Sequence, residues 1–103
     1  MKKSLDRQDL ARLVPKMAQI TEQVLFGDIW QRPELTPRDR SLITVAALVA
    51  LARTEQLPYH LALARDNGVN ETELTELVTH LAFYAGWPAA ASALASLANW
   101  PQS

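Results

Sequence analysis

Cysteine is absent from this 103-residue sequence, and that absence excludes more functions than any other feature of the composition. A chain without thiols forms no disulfide, binds no metal through thiolates and offers no cysteine nucleophile and no thiol peroxidase chemistry. Its two histidines, His60 and His80, lack partners at the spacing of a metal site, and no glycine-rich phosphate loop or Ser-His-Asp pattern accompanies them. The sequence therefore implies no metal and no cofactor.

An excess of charge of one sign and a long hydrophobic run are also missing. The 10 basic and 11 acidic residues give a formal net charge of −1, and the basic ones are scattered, which argues against a nucleic-acid partner. The longest apolar run, LITVAALVALA from Leu42 to Ala52, is shorter than the ~20 residues of a membrane helix, and no signal peptide follows Met1. We expect a cytoplasmic protein that binds neither nucleic acid nor membrane.

Apolar residues, by contrast, are abundant, at 49% of the sequence against 20% charged. A chain of this length forms one domain, residues 1–103, and a domain of roughly 100 residues buries only about two thirds of its unfolded surface. Some apolar surface should then be covered by further copies of the chain, so we expect a homo-oligomer.

Helical periodicity organises the first half of the chain. Apolar residues recur at three and four from Leu10 to Val24, which predicts a first helix over about residues 5 to 25 that Pro15 either kinks or begins. The connector FGDIWQRPEL follows. Thr36, as N-cap before a proline, then opens a second helix that we expect to run to about Arg53.

The second half carries three further helix patterns. Pro58 opens a short helix that Gly68 closes, Asn70 caps a fourth helix that ends at Gly86, and Pro88 starts a last, alanine-rich helix. No strand signal is present anywhere. The predicted fold is all-α, with about five helices.

Three blocks of the sequence, GDIWQRPEL, RDRSLITVAALVALARTEQLPYHLALARDNGV and YAGWPAAASAL, follow one another in a recognisable order. Over about Phe26 to Leu97 the chain resembles the 4-carboxymuconolactone decarboxylase family of the alkyl hydroperoxidase D-like superfamily. The resemblance implies an all-helical protomer that assembles into a ring-like homo-oligomer, a trimer or a hexamer, with active sites near the subunit contacts.

The resemblance also separates two branches of that superfamily. The peroxidase branch carries a Cys-x-x-Cys motif where this chain has Arg53 and Gln56, ahead of a histidine that matches His60, and a glutamate where this chain has Ser41. Thiol peroxidase activity is therefore disfavoured. The segment RSLIT is similar to the decarboxylase branch, which lacks the cysteine motif.

The activity that the resemblance implies is cofactor-independent loss of CO2 from a small carboxylated lactone, such as 4-carboxymuconolactone, in aromatic-compound catabolism. As third residue of its helix, His60 would sit near the positive end of the helix dipole and transfer the proton. Arg40 would anchor the substrate carboxylate, and Ser41 would donate a hydrogen bond to the lactone. Glu55 is a further possible acid or base near His60.

Five more residues are candidates for substrate binding, each with a structural explanation beside the functional one. Arg53 can stabilise the dipole as a cation in the last turn of its helix, and His80 can pair with Glu76 one turn earlier. The aromatic candidates are as typical of a core or a subunit interface as of a pocket. They are Trp30, Tyr84 and Trp87.

A rival hypothesis is a non-catalytic oligomeric binding or scaffold module of the same fold, which the shorter N-terminal arm of this sequence favours. The two hypotheses differ in what they expect of His60 and Arg40. A decarboxylase should bring them to one cavity at a subunit contact, whereas a scaffold should leave them separated and bonded to protein groups.

Overall fold

The computed structural model of the chain describes residues 7–98, which form helices joined by turns and contain no strand. The all-α prediction is confirmed. The predicted start of the first helix near residue 5 lies outside this range. Six α-helices occur in this range: α1 (Arg7–Leu13), α2 (Pro15–Ile20), α3 (Pro37–Ala50), α4 (Leu57–Asp66), α5 (Glu71–Ala85) and α6 (Trp87–Leu97). Helix α2 continues into a π-helical turn at Thr21–Phe26, and a 3-10 turn follows at Ile29–Gln31.

Pro15 divides the predicted first helix in two. Of the two alternatives for this proline, the structure shows a new helix start: α1 ends at Leu13 and Val14 leaves the helical region with φ −137° and ψ 72°. Proline disfavours the helical conformation of the residue before it, so the break falls at Val14. Further along, the Thr21 hydroxyl donates to the carbonyl of Met17 at 2.8 Å, where α2 passes into the π-helical turn.

The chain divides between Pro37 and Arg38 into two compact units. The second unit contains nearly all of α3 and the whole of α4, α5 and α6, and it has a well-defined apolar core. Each of these helices contributes to that core, as does the loop residue Val69. Its buried members are Val45, Val49, Leu57, Leu61, Ala64, Val69, Leu74, Val78, Ala90, Ala93 and Leu97.

The end of α3 is earlier than the predicted end near Arg53. Ala52 adopts a left-handed conformation, φ +58°, and its N–H donates to the carbonyl of Val49 at 3.1 Å. The N–H of Arg53 donates to the carbonyl of Leu48 at 2.8 Å. These two bonds form a Schellman motif, which closes the helix after Ala50.

The end of α4 and the start of α5 follow the predictions closely. Gly68, with φ +98°, closes α4 through a second Schellman motif, and Asn70 caps α5. The Asn70 side chain accepts from the N–H of Glu73 at 2.8 Å, and the Glu73 carboxylate accepts from the N–H of Asn70 at 3.0 Å, which is a capping box. Each proline start is displaced by one residue, since Pro58 and Pro88 are the second residues of α4 and α6.

Helices α3 and α4 run antiparallel. A short turn joins the end of α3 to the start of α4, and at the opposite ends the Nδ2 of Asn67 donates to the Oγ of Ser41 at 3.0 Å. The first turn of α3 therefore lies beside the last turn of α4. In the part of the chain that the structure describes, no helix is long and apolar enough to cross a membrane.

Candidate active site

His60 lies in the first turn of α4, as its fourth residue. The sequence placed it third, and the difference arises because the helix begins one residue before Pro58, at Leu57. Its N–H donates to the carbonyl of Gln56 at 3.4 Å, and its ring meets the ring of Tyr59 edge-on, with centroids 5.0 Å apart. The side chain is half-buried, with Nδ1 enclosed by protein.

The surroundings of His60 favour the neutral imidazole. Burial lowers its pKa from the usual 6.5, because desolvation disfavours the charged ring. The positive end of the α4 dipole acts in the same direction. A neutral imidazole has one nitrogen that donates a hydrogen bond and one that can accept a proton, so His60 can take up a proton at neutral pH and pass it on as the imidazolium.

An open hollow of about 630 Å³ lies at the turn between α3 and α4. We call it the α3–α4 hollow. Its lining combines the last turn of α3 with the residues that lead into α4: Leu48, Leu51, Ala52, Arg53, Thr54, Glu55 and Gln56. Two residues singled out in the sequence, Arg53 and Glu55, therefore share one recess, and Gln56 connects this recess to His60 one helical turn further on.

Arg53 holds a different position from the one expected. It follows the last residue of α3, Ala50, by three positions, so it is not a cation in the last turn of that helix. Its side chain is exposed and forms neither a hydrogen bond nor an ion pair with the residues that the structure describes. By contrast, Arg38 pairs with Glu73.

Ser41 is the most enclosed of the candidates, with only 1% of its surface exposed. Its hydroxyl oxygen accepts the bond from Asn67 that holds the start of α3 to the end of α4. This bond gives Ser41 a structural task inside the protomer. The predicted bond to a lactone stays a prediction.

Arg40 precedes Ser41 and is half-buried, with Nε enclosed by protein. Because α3 and α4 are antiparallel, this first turn of α3 lies beside the end of α4, whereas His60 lies near its start. The axial rise of 1.5 Å per residue places His60 about 10 Å from Asn67 along α4. Arg40 does not line the α3–α4 hollow.

The remaining candidates are aromatic or stack on an aromatic ring. Tyr84 and Trp87 are 78% and 72% exposed, beside Phe83 at 80%. The His80 ring stacks on Tyr84, with centroids 4.9 Å apart, and no ion pair joins it to Glu76 within the described range. In the first unit, Trp30 is half-buried and stacks on Phe26 at 5.7 Å.

Sequence reasoning missed the pair formed by Arg38 and Glu73 near the starts of α3 and α5. The Glu73 carboxylate accepts from Arg38 in addition to its bond within the capping box. The bond from the Asn70 N–H, aided by Arg38, lowers the pKa of the Glu73 carboxyl below its usual 4.5. The capping box has a sequence signature, but no local pattern identifies a partner 35 residues away.

Among residues 7–98, no three side chains of His, Asp or Glu come together in a group that could hold a metal ion. The features of the second unit are thus a half-buried histidine, a hollow with one arginine and one glutamate in its lining, and an exposed aromatic segment. In residues 7–98 these features belong to the all-helical class of proteins.

Comparison with known proteins places the chain within that class. Residues 15–99 match the model of the Carboxymuconolactone decarboxylase family, which is most of the sequence. The chain belongs to this family, as the sequence blocks predicted.

Two curated relatives are decarboxylases by name. The chain is similar to the 4-carboxymuconolactone decarboxylase of Acinetobacter baylyi, with 45% identity over 69 residues, or 67% of this chain and 52% of the relative. It is also similar to the nitrosuccinic acid decarboxylase of Metarhizium robertsii, with 38% identity over 80 residues, or 78% of this chain and 55% of the relative. The chain spans about half the length of the curated relatives it matches.

Proposed function

We propose that this protein is a cofactor-independent carboxy-lyase that removes CO2 from a small carboxylated lactone, such as 4-carboxymuconolactone, in the catabolism of aromatic compounds. Membership of the family and the two decarboxylases similar to the chain support the reaction class. The observation that carries the proposal within the protomer is His60, a half-buried imidazole of lowered pKa at the start of α4.

The reaction needs a place for the electrons that CO2 leaves behind. When the carbon–carboxylate bond of a carboxylated unsaturated lactone breaks, its electron pair moves through the ring double bond onto the lactone carbonyl oxygen. In nitrosuccinic acid, the nitro group is the corresponding electron acceptor. The substrate supplies its own sink in both cases, so the protein has to bind the acid, exclude water and deliver one proton.

His60 is our assignment for the proton. The ring, neutral at pH 7, takes up a proton from solvent at its accepting nitrogen, and the imidazolium donates that proton to a carbon of the dienolate left by CO2, which returns the ring to its neutral form. General acid catalysis of this kind contributes ~10²–10⁴-fold to the rate. A cation is also required, because the substrate keeps a carboxylate that must be held during the reaction.

Turnover on a panel of small acids tests this proposal. We expect the full chain to release CO2 from at least one carboxylated lactone or from nitrosuccinic acid, and His60→Gln to lower kcat by ~10²-fold or more. Melting temperature and assembly size on the same preparations control for folding. If no acid of the panel loses CO2 to the wild-type protein, the decarboxylase proposal is wrong and the non-catalytic module becomes the better account.

The same variant separates the chemical role of His60 from a structural one. A histidine kept only for packing predicts a lower melting temperature with kcat per folded subunit unchanged. With that result, the proton donor would have to be another residue. Glu55, which lines the α3–α4 hollow, is the first to test.

We further propose that the chain works as a homo-oligomer, a trimer or a hexamer. The aromatic segment supports this, since Phe83, Tyr84 and Trp87 are each more than 70% exposed in the protomer. Exposed aromatic side chains in such a group are typical of surfaces that become covered by another chain.

A further inference from the structure

The α3–α4 hollow combines a recess of ligand size with an arginine whose guanidinium has no partner in the described part of the chain. A volume of about 630 Å³ lies within the range of small-molecule sites, roughly 300–1,000 Å³. Two other arginines of the same unit are engaged, since Arg38 pairs with Glu73 and Arg65 lies 3.7 Å from Asp66. Arg53 alone lines the recess.

The main chain fixes Arg53 while its side chain remains available. Its N–H donates to the carbonyl of Leu48 at 2.8 Å, and its carbonyl accepts from the N–H of Gln56 at 3.3 Å. The residue is thus held by bonds to the end of α3 and to the residue that precedes α4. An exposed guanidinium on a fixed backbone can bind a carboxylate through two parallel hydrogen bonds.

The hollow is also close to His60. Gln56 and His60 are four residues apart with a backbone hydrogen bond between them, so their side chains project from the same face of the helix start, about 5–6 Å apart at Cβ. His60 does not line the hollow, but it follows the lining residue Gln56 by one helical turn, so an acid held by Arg53 can extend past Gln56 toward the imidazole. Arg40 does not line the hollow.

We propose that the α3–α4 hollow is the subsite that binds the carboxylate retained by the substrate, and that Arg53 supplies the guanidinium for it. The identity of the ligand rests on the proposed decarboxylase function. Arg53 is then a binding residue shared by the ground state and the transition state, and His60 acts on the carbon beside it.

Glu55 lines the same hollow and allows a test of whether the hollow binds an anion or a cation. A carboxylate near the bound acid repels it, by about 1 kcal/mol at 4 Å in a fully aqueous setting. Glu55→Gln should therefore leave the affinity for an acid equal or raise it up to about fivefold. If the hollow instead recognised a cation, Glu55→Gln would abolish binding.

Binding of succinate, a small unreactive dicarboxylate, tests the subsite without any need for turnover. Calorimetry on the full chain should show binding that Arg53→Ala weakens at least tenfold and Arg53→Lys weakens less. Arg65→Ala is the matched control, since it removes an arginine of the same unit that does not line the hollow. The N–Hε resonance of Arg53 should shift on titration.

The outcomes separate this inference from the proposed function. Equal succinate affinity in Arg53→Ala and Arg65→Ala, or loss of binding in Glu55→Gln, overturns the subsite. On a substrate that turns over, Arg53→Ala should raise KM with kcat nearly unchanged. An unchanged KM in Arg53→Ala would overturn the proposed subsite but not the proposed decarboxylase activity. If succinate binding depends on Arg53 but the protein turns over no acid, the subsite is supported and the proposed reaction is wrong.

Discussion

At the scale of single residues, the protein is distinguished by an ionisable ring that is held away from water. His60 is half-buried at a helix start, and desolvation lowers its pKa. The unfolded chain, in which the ring is solvated, retains the ordinary value near 6.5. The two states therefore bind protons differently in mildly acidic solution.

This difference predicts a pH dependence of stability. Well above pH 6.5 the ring is neutral in both states and contributes no slope. As the pH falls below 6.5, the unfolded chain takes up a proton before the folded one does, so the free energy of unfolding should decrease until the pH passes the lowered pKa.

Urea unfolding at pH 7.5, 6.5 and 5.5, at one protein concentration, measures this effect. His60→Gln should lose the part of the slope that develops as the pH falls through 6.5, while His80→Gln, which changes an exposed ring, should retain it. A slope that is the same in His60→Gln and in the wild type would contradict the assignment.

At the scale of helices, α3 and α4 end in the same hydrogen-bond pattern, the Schellman motif. The residue in the left-handed conformation differs between the two motifs. Ala52 occupies that position after α3, with φ +58°, and Gly68 occupies it after α4, with φ +98°. A side chain disfavours the left-handed region by about 1 kcal/mol, and glycine does not.

Reciprocal substitutions should therefore have opposite signs. Ala52→Gly should stabilise the protein by up to about 1 kcal/mol, because it relieves the strain at the end of α3. Gly68→Ala should destabilise it by about the same amount, although a Cβ there would meet no atom within 4 Å. Thermal or urea unfolding of both variants measures the pair, and changes of the same sign would show that conformational strain is not the cause.

These termini also show which parts of the fold the sequence predicts. Gly68 tolerates a positive φ, and Asn70 begins a capping box, so the end of α4 and the start of α5 were predictable from local sequence. Ala52 has no such signal, and the end of α3 was placed at Arg53 instead of Ala50. Because the predicted helix included Arg53, the sequence did not predict the α3–α4 hollow. An arginine in the last turn of a helix would not line a recess that lies after the end of that helix.

Non-local contacts were out of reach for the same reason. No local pattern in the sequence marks Asn67 as a partner of Ser41, 26 residues away, and their bond is visible only in the folded chain. Because partners this far apart leave no local signal, the contact between the start of α3 and the end of α4 could not be predicted. Residue types and helix periods identify candidate groups, while their grouping depends on packing.

At the scale of the whole molecule, the exposed aromatic segment at the end of α5 and the start of α6 predicts assembly. We expect light scattering to give three or six times the chain mass of 11.5 kDa at micromolar concentration. Phe83→Glu should raise the dissociation constant at least tenfold, because burying an unpaired carboxylate in an interface costs well over 1.4 kcal/mol.

Thr72→Glu is the matched control for that experiment, since it adds the same charge to an exposed position at the opposite end of α5. It should leave the assembled mass unchanged. A wild-type protein that scatters as a monomer would contradict the assembly, and equal behaviour of the two variants would show that the aromatic segment is not the interface.

The pair between Arg38 and Glu73 closes a loop around most of the candidate groups. It joins two residues 35 positions apart, and the chain between them contains Arg40, Ser41, Arg53, Glu55 and His60. Closing a loop of this length costs conformational entropy, which the packing of the helices of the same unit has to offset. The two residues proposed for carboxylate binding and proton transfer, Arg53 and His60, thus lie within one loop, and the ion pair that joins its ends does not line the α3–α4 hollow.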